Sequence, residues 1–285
     1  MDPSPALGGD GMNGYGRLSA IKADLKLVGT TYDKEILDAR EAISRAIDHE
    51  LKPRHFYSEI ATRTFDTPGD AEPLYFGFDL VSATTVTIDS ADDGAYETTL
   101  VAGTDYRLLP VNSSPKRGIE LLTSRGQLSA WPNGKDALQV VGKWGYSDDV
   151  ELTGATTSEA VDLTETVIDI SDDTLVDRGD TIRIDSEDME VTAVTAGTPD
   201  TMTVVRAING TTAATHATSA AIYVRRYVLD IEQAVVMQVA RYRWETQTGH
   251  EGAVMMNEGI GAGRSALYPM VRDKIRNLIP PDYGL

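Results

Sequence analysis

Gly179-Asp180-Thr181-Ile182-Arg183-Ile184-Asp185-Ser186-Glu187-Asp188-Met189 sets Ile182, Ile184 and Met189 at alternate places among polar residues. Period-two alternation predicts strands with one apolar face, and the polar break at Asp185-Ser186 predicts a hairpin between them. The same signal recurs in Val167-Ile168-Asp169-Ile170, Met202 to Val205 and Ala221-Ile222-Tyr223-Val224. Residues 150–226 therefore read as one β-rich stretch. Its densest carboxylates, Asp180, Asp185, Glu187, Asp188 and Glu190, alternate with Ile182, Ile184, Met189 and Val191 as solvent alternates with core. Oxygen ligands of this kind could hold calcium, but the EF-hand's alternating Asp/Asn ligands and central glycine are missing. A solvated hairpin is the expectation.

Upstream, a second β signal runs from Tyr57 to Tyr146. It includes Leu80-Val81, Val86-Thr87-Ile88, Tyr106 to Leu109, Ile119 to Leu122 and Leu138 to Val141, punctuated by Asp92-Asp93-Gly94, prolines and Asn133-Gly134. The chain ends are helical. Ile36, Ile43, Ile47 and Leu51 recur at helical spacing after Asp33, and Pro53 ends the pattern. A shorter helix is predicted before it, capped by Ser19, with Ile21, Leu25 and Val28 on one face and Gly29 as its stop. Beyond Tyr227, Asp230 and Gln233 resemble a capping box, and Ile231, Val235, Val239 and Tyr242 form a stripe. Pro269 opens a last short helix with Val271, Ile275 and Leu278 inward, and Pro280 to Leu285 form an exposed tail.

The fold class these parts predict is α+β. N- and C-terminal helices pack as a helical bundle with a small antiparallel β element between them, and a β-rich barrel or sandwich is inserted. The expected organisation is a flexible tail over 1–16, a core of 17–149 with 227–285, and an inserted β domain over 150–226.

Composition narrows the chemistry. The 285 residues contain no cysteine, which excludes disulfide scaffolds, thiolate metal sites and cysteine nucleophiles. The formal charge of −18 disfavours a protein whose task is gripping phosphates. Residues 58–149 carry −7 and residues 150–226 carry −9, the latter without a lysine, while the ends are nearly balanced. No apolar run approaches the roughly 20 residues needed to span a bilayer, and the first 16 residues lack a signal peptide's basic flank and apolar stretch. A chain made and used without export, and with no membrane partner, is expected.

No catalytic, cofactor-binding or metal-binding residue is assigned, and no enzyme is expected. His49, His55, His216 and His250 lie in different elements without metal spacing, with His49 expected on a helix surface and His216 in a turn. Gly259-Ile260-Gly261-Ala262-Gly263-Arg264-Ser265 lacks the Walker glycine and lysine and follows no strand. A hydrolase built on Asp185 and Glu187 ranks third among the functional readings. Arg225, Arg226, Arg241 and Arg243, with Trp244, form the nearest approach to a basic patch and are candidates for a subunit interface.

Leu18, Lys22 and Leu25, then Asp33, Ile36, Ala42, Ile47 and Asp48, follow the pattern Leu-x-x-x-Lys-x-x-Leu … Asp-x-x-Ile/Leu … Ala-x-x-x-Ile-Asp. With Thr104-Asp105-Tyr106, with Trp144-Gly145-Tyr146 and with the helix from Asp230, this order of parts resembles the head-tail connector (adaptor) proteins of long-tailed bacteriophages. The stretches Gly179 to Met189 and Val205 to His216 resemble a β module of phage structural proteins, written Gly-Asp-x-Ile-x-Ile-x-x-Glu-x-Met … Val-x-Arg-x-x-Asn-Gly-Thr-Ala-Ala-x-His. Its Asn209-Gly210 is also a tight-turn signal on physical grounds. The resemblance implies a virion structural protein in the neck, made in the host cytoplasm and forming a ring, dodecameric in most such cases. It would sit between the portal and the next neck or tail-completion protein, lining the channel through which genome DNA passes without sequence-specific binding. Leu278, Ile279, Pro280, Pro281, Tyr283 and Leu285 are then the candidates for portal contact. The alternative is a β-rich receptor- or glycan-binding phage structural protein.

Overall fold

A computed structural model of the chain describes residues 13–248, with side chains described as far as Arg243. The chain divides into two compact units, one of Met1–Glu50 with Asp149–Leu285 and the other of Leu51–Asp148.

In the first unit, α1 (Leu18–Asp24) and α2 (Asp33–Leu51) precede the strands. Asp33 and Glu35 in the first turn of α2 complement the helix dipole, and Ile36, Ala39, Ile43, Ala46, Ile47 and Leu51 form its buried stripe. α1 is shorter than its apolar pattern predicts. It starts at Leu18, so Ser19 lies inside it, and it ends before Val28, which is 90% exposed. Six strands follow: β7 (Val150–Thr156), β8 (Val167–Ile170), β9 (Thr181–Ile184), β10 (Glu187–Thr195), β11 (Asp200–Val205) and β12 (Ala221–Arg225). They form an antiparallel sheet in the order β7-β12-β9-β10-β11-β8. Its two outer strands meet. Ser158 N–H donates to Asp169 O (2.8 Å) and Ser171 N–H to Thr156 O (3.0 Å), so the sheet curls into a small barrel and consumes its own edges. Ile168, Ile170, Ile182, Ile184, Met189, Val191, Met202 and Ile222 fill it. α3 (Leu229–Thr248) buries Ile231, Ala234, Val235 and Val239, whereas Tyr242 at the end of the predicted stripe is 46% exposed. Glu232 reaches back to accept the Tyr227 N–H (3.1 Å), which fixes the chain's entry into this helix.

The second unit is a sheet with the strand order β1-β6-β2-β5-β4 and a short β3 on β2. The strands are β1 (Ser58–Pro68), β2 (Leu74–Ile88), β3 (Thr98–Leu100), β4 (Tyr106–Leu109), β5 (Lys116–Leu121) and β6 (Asn133–Gly145). Phe65, Phe76, Phe78 and Trp144 meet at ring separations of 4.8–6.2 Å. They pack within a core that includes Leu80, Ile88, Ile119, Leu138 and Val140. Gly145 has φ 137°, and a β-carbon there would run into the Tyr57 carbonyl, so the Trp-Gly-Tyr motif is a backbone requirement.

The expected helical bundle with an inserted β module is overturned. Two six-stranded antiparallel sheets carry the fold, and the described residues contain three α-helices, 19% of those residues. The inward stripe of α2 explains why. It carries Arg40 and Ser44 beside its aliphatic residues, and the buried Arg40 guanidinium donates to Gly16 O (3.2 Å) and Gly179 O (3.1 Å). A helix with such a face docks against loop carbonyls, here one before α1 and one ahead of β9, which the ladder of a neighbouring helix does not offer.

Leu138 is fully buried, so Leu138→Ala is expected to cost about 2–5 kcal/mol of stability. Urea unfolding followed by tryptophan fluorescence measures it, with a lowered midpoint at an unchanged slope.

Candidate functional site

The carboxylates expected on a solvated hairpin lie inside. Asp180, Glu187, Asp188 and Glu190 are all buried, and only Asp185, in the left-handed turn position (φ 51°), is exposed. Buried carboxylates require donors, and the lysine-free stretch supplies arginine and backbone N–H groups.

Glu187 is the centre. Its Oε1 accepts Arg206 Nε (2.9 Å) and Ala207 N–H (3.1 Å), and its Oε2 accepts Arg206 Nη2 (2.7 Å) and Ala214 N–H (2.9 Å). His216 Nε2 lies 3.0 Å from the same Oε2, and its Nδ1 lies 2.7 Å from Asp185 Oδ2. Arg206 continues outward to the carbonyls of Asp162, Glu165 and Ala214. Asp188 is held by Arg183 Nε (2.7 Å), by Arg225 Nη2 and by Asn209 Nδ2 (3.1 Å). Asn209 (φ 55°) and Gly210 (φ 71°) are both left-handed, as the tight turn requires, and Thr211 N–H closes it on Ile208 O (3.0 Å).

The two module motifs are thus halves of one network: Asp185, Glu187 and Asp188 of the first stretch bind Arg206, Asn209 and His216 of the second. His216, expected in a turn, is buried between two acids. Burial pushes Glu187 up, but the hydrogen bonds from Arg206, Ala214 N–H and His216 outweigh it and hold the carboxyl below its usual range.

The N-terminal segment joins this network. Asn13 is buried and exchanges side-chain amide hydrogen bonds with Asn209 (2.7 and 3.1 Å). Tyr15 is buried, its N–H donates to Ser44 Oγ (3.0 Å) and its hydroxyl to Asp48. Arg17 binds Asp180 at 2.8 Å. Residues 13–16 are therefore built into the unit, in contrast to the tail expected over 1–16; residues 1–12 lie outside the described residues.

Among the interface candidates, Arg225 is buried on Asp188, and Arg226 binds Glu232 (2.9 Å) and Glu151. Arg243 stacks on Tyr32 at 3.8 Å, with Glu35 also 3.8 Å away. Arg241 is half-buried on α3, and Trp244 belongs to that helix but its side chain lies outside the described set. The portal candidates Leu278, Ile279, Pro280, Pro281, Tyr283 and Leu285 also lie outside the described residues, as do His250 and the glycine-rich 259–265 stretch. Asp105 of the Asp-Tyr motif is buried and ties its own turn together, accepting Val101 N–H (2.7 Å) and Gln127 N–H (2.8 Å). Those bonds hold its carboxyl below the usual range.

One acidic cluster escaped sequence reasoning because it looked only like a turn. Asp89, Asp93 and Glu97 bring ligand atoms within 4.8 Å of one another. Asp89, however, already accepts the N–H groups of Ala91, Asp93 and Gly94 (3.2, 3.4 and 2.8 Å), so its oxygens serve the loop.

Chemically the Glu187 network is a satisfied lock. Both carboxylate oxygens of Glu187 are occupied and buried, and His216 bridges it to the exposed Asp185. In comparisons with known proteins, no family model, no curated protein and no solved structure matches the chain.

Truncating one partner leaves the other charge buried and unpaired, so Arg206→Met is expected to destabilise the barrel unit by about 3–5 kcal/mol. In the double variant with Glu187→Met part of this loss should return. Denaturant titration of the three variants gives the coupling, and additive losses would mean that the pair acts independently.

Glu190 and Asp180 behave in the opposite sense to Glu187. Burial pushes Glu190 up to about 7, against the pull of Arg40, and pushes Asp180 up to about 6, against the pull of Arg17. Both folded values exceed the ordinary 4.5 and 3.8, so the folded state holds these protons more tightly. Their stabilising contribution is complete below the ordinary values and is lost as pH rises through about 6 and 7. The melting temperature is expected to fall between pH 5 and pH 8, and Glu190→Gln to flatten that fall. An unchanged slope in the variant would exclude Glu190 as its source.

Proposed function

We propose that this chain is a virion structural protein, a head-tail connector that assembles with copies of itself into a ring of twelve between the portal and the next neck or tail protein of a bacteriophage. One observation carries the reading. The first two helices and the last described helix, which are separated in sequence by both β units, return to one another. The Tyr15 ring lies 4.7 Å from Tyr227, at the entry to α3, and Arg243 on α3 covers Tyr32 ahead of α2. An N-terminal helical pair closed by a C-terminal helix across a β excursion is what the connector resemblance implies.

The charge supports the same reading. An acidic subunit, −18 over the chain, gives a lumen along which DNA slides without being gripped. Heterologous contacts repeated around an axis then close the ring.

Co-expression with the portal protein of the same genome, followed by electron-microscope class averages of what co-purifies, tests the proposal. A twelve-fold ring capping the portal, lost on deletion of Leu278 to Leu285, is the expected result. A well-assembled portal that leaves this chain behind would overturn it.

A further inference from the structure

Asn13, Gly14, Tyr15 and Gly16 are all buried, although they belong to no helix or strand. What holds them is far away in sequence. The main chain of this segment is read at three points of α2: Arg45 Nη2 donates to Asn13 O (3.1 Å), Tyr15 N–H donates to Ser44 Oγ (3.0 Å) and Arg40 Nη1 donates to Gly16 O (3.2 Å). Its side chains are read as well. Asn13 pairs with Asn209, the Tyr15 ring meets Tyr227 edge to face at 4.7 Å while its hydroxyl donates to Asp48, and Arg17 binds Asp180 (2.8 Å) and Leu175 O (3.1 Å).

The sequence of the segment fits this bed closely. A β-carbon at Gly14 would come within 2.5 Å of the Arg40 guanidinium, which is itself held at Gly16 O and Gly179 O, and Gly16 is left-handed at φ 86°. A glycine therefore stands on each side of a fully buried tyrosine. The bed also needs an occupant. Asp180 is 3% exposed, and without residues 13–17 it would lose its ion-pair partner Arg17, as Asn209 would lose Asn13 and Tyr227 would lose the Tyr15 ring. Buried polar groups deprived of their partners favour refilling by a ligand of the same chemistry.

We propose that α2, Asp180, the Asn209-Gly210 turn and Tyr227 form a peptide-recognition groove, which the chain fills with its own residues 13–17 and whose ligand class is a short Asn-Gly-Tyr-Gly-Arg peptide. The tyrosine is the anchor, and the arginine sets the register through Asp180. A tethered segment acts at an effective concentration on the order of millimolar, so the natural chain keeps the groove closed to free peptide. The contacts lie within the first unit, and the proposal stands or falls independently of the connector reading.

Tyr15→Ala in the full chain removes the anchor and loosens the segment. A fluorescein-labelled peptide of residues 13–18 should then bind this variant, read by fluorescence anisotropy, and should leave the natural chain unbound at the same concentration because its groove is full. The same peptide carrying Tyr15→Ala should bind at least about tenfold more weakly. Arg17→Glu, which sets a carboxylate beside Asp177 and Asp180, is a second route to an open groove and should also admit the natural peptide. Binding to the natural chain as tight as to the variants, equal binding of the Tyr15→Ala peptide, or no binding to either folded variant up to about 1 mM would overturn the proposal. Hydrogen exchange of the unsubstituted chain gives a readout that no variant affects. The Tyr15 amide, donated to Ser44, should be protected, and exchange at the rate of a free peptide would equally overturn the groove.

Discussion

The burial of Glu187 is the constraint around which the first unit is built. A carboxylate at the start of a central barrel strand has no water to bind, so the chain must bring donors to it. It does so with a loop from a distant part of the sequence. Arg206, the N–H groups of Ala207 and Ala214, and His216 converge on two oxygen atoms. The strand therefore cannot take its place without the 206–216 loop, nor the loop without the strand. Such a pair adds little net stability over an apolar core of equal volume, but it admits few alternative packings. That suits a small barrel whose aliphatic filling alone would tolerate several.

The same logic spreads outward. Asp188 fixes Arg183, Arg225 and the Asn-Gly turn; Asn209 of that turn holds Asn13; and Asp180 holds Arg17 at the threshold of α1. Gly179, left-handed at φ 84°, presents its carbonyl to Arg40 of α2, and a β-carbon there would come within 2.7 Å of that guanidinium. The helices are thus attached to the barrel by directed polar contacts as well as by apolar stripes, and this attachment makes the helical ends part of a mostly β structure.

Much of this was legible in the sequence, and what was missed has identifiable physical causes. The alternation of Ile182, Ile184, Met189 and Val191 marked the strands, and the spacing of Ile36, Ile43 and Ile47 marked α2, because periodicity reports which side of an element faces apolar matter. It does not report what faces the other side. Glu187 and Asp188 read as solvent-facing because an acid in a strand usually is. The signal that could have shown otherwise was the absence of lysine from residues 150–226, combined with arginines spaced to meet the acids. β1 carries little strand signal of its own because Glu59, Arg63 and Asp66 interrupt its apolar content, and its pairing with β6 is a long-range fact that no local window holds.

The misjudged fold class follows from the same limit. Helices at both ends of a chain suggest a bundle only if their buried faces are complementary to each other. The stripe of α2 contains Arg40 and Ser44, and a guanidinium carried inward at the middle of a helix needs carbonyls that a neighbouring helix keeps for its own ladder. Loop carbonyls such as those of Gly16 and Gly179 are available, because strand ends and turns leave them unpaired. Where a predicted helix carries a buried arginine on its apolar stripe, its partner should be sought among turns and strand ends before other helices.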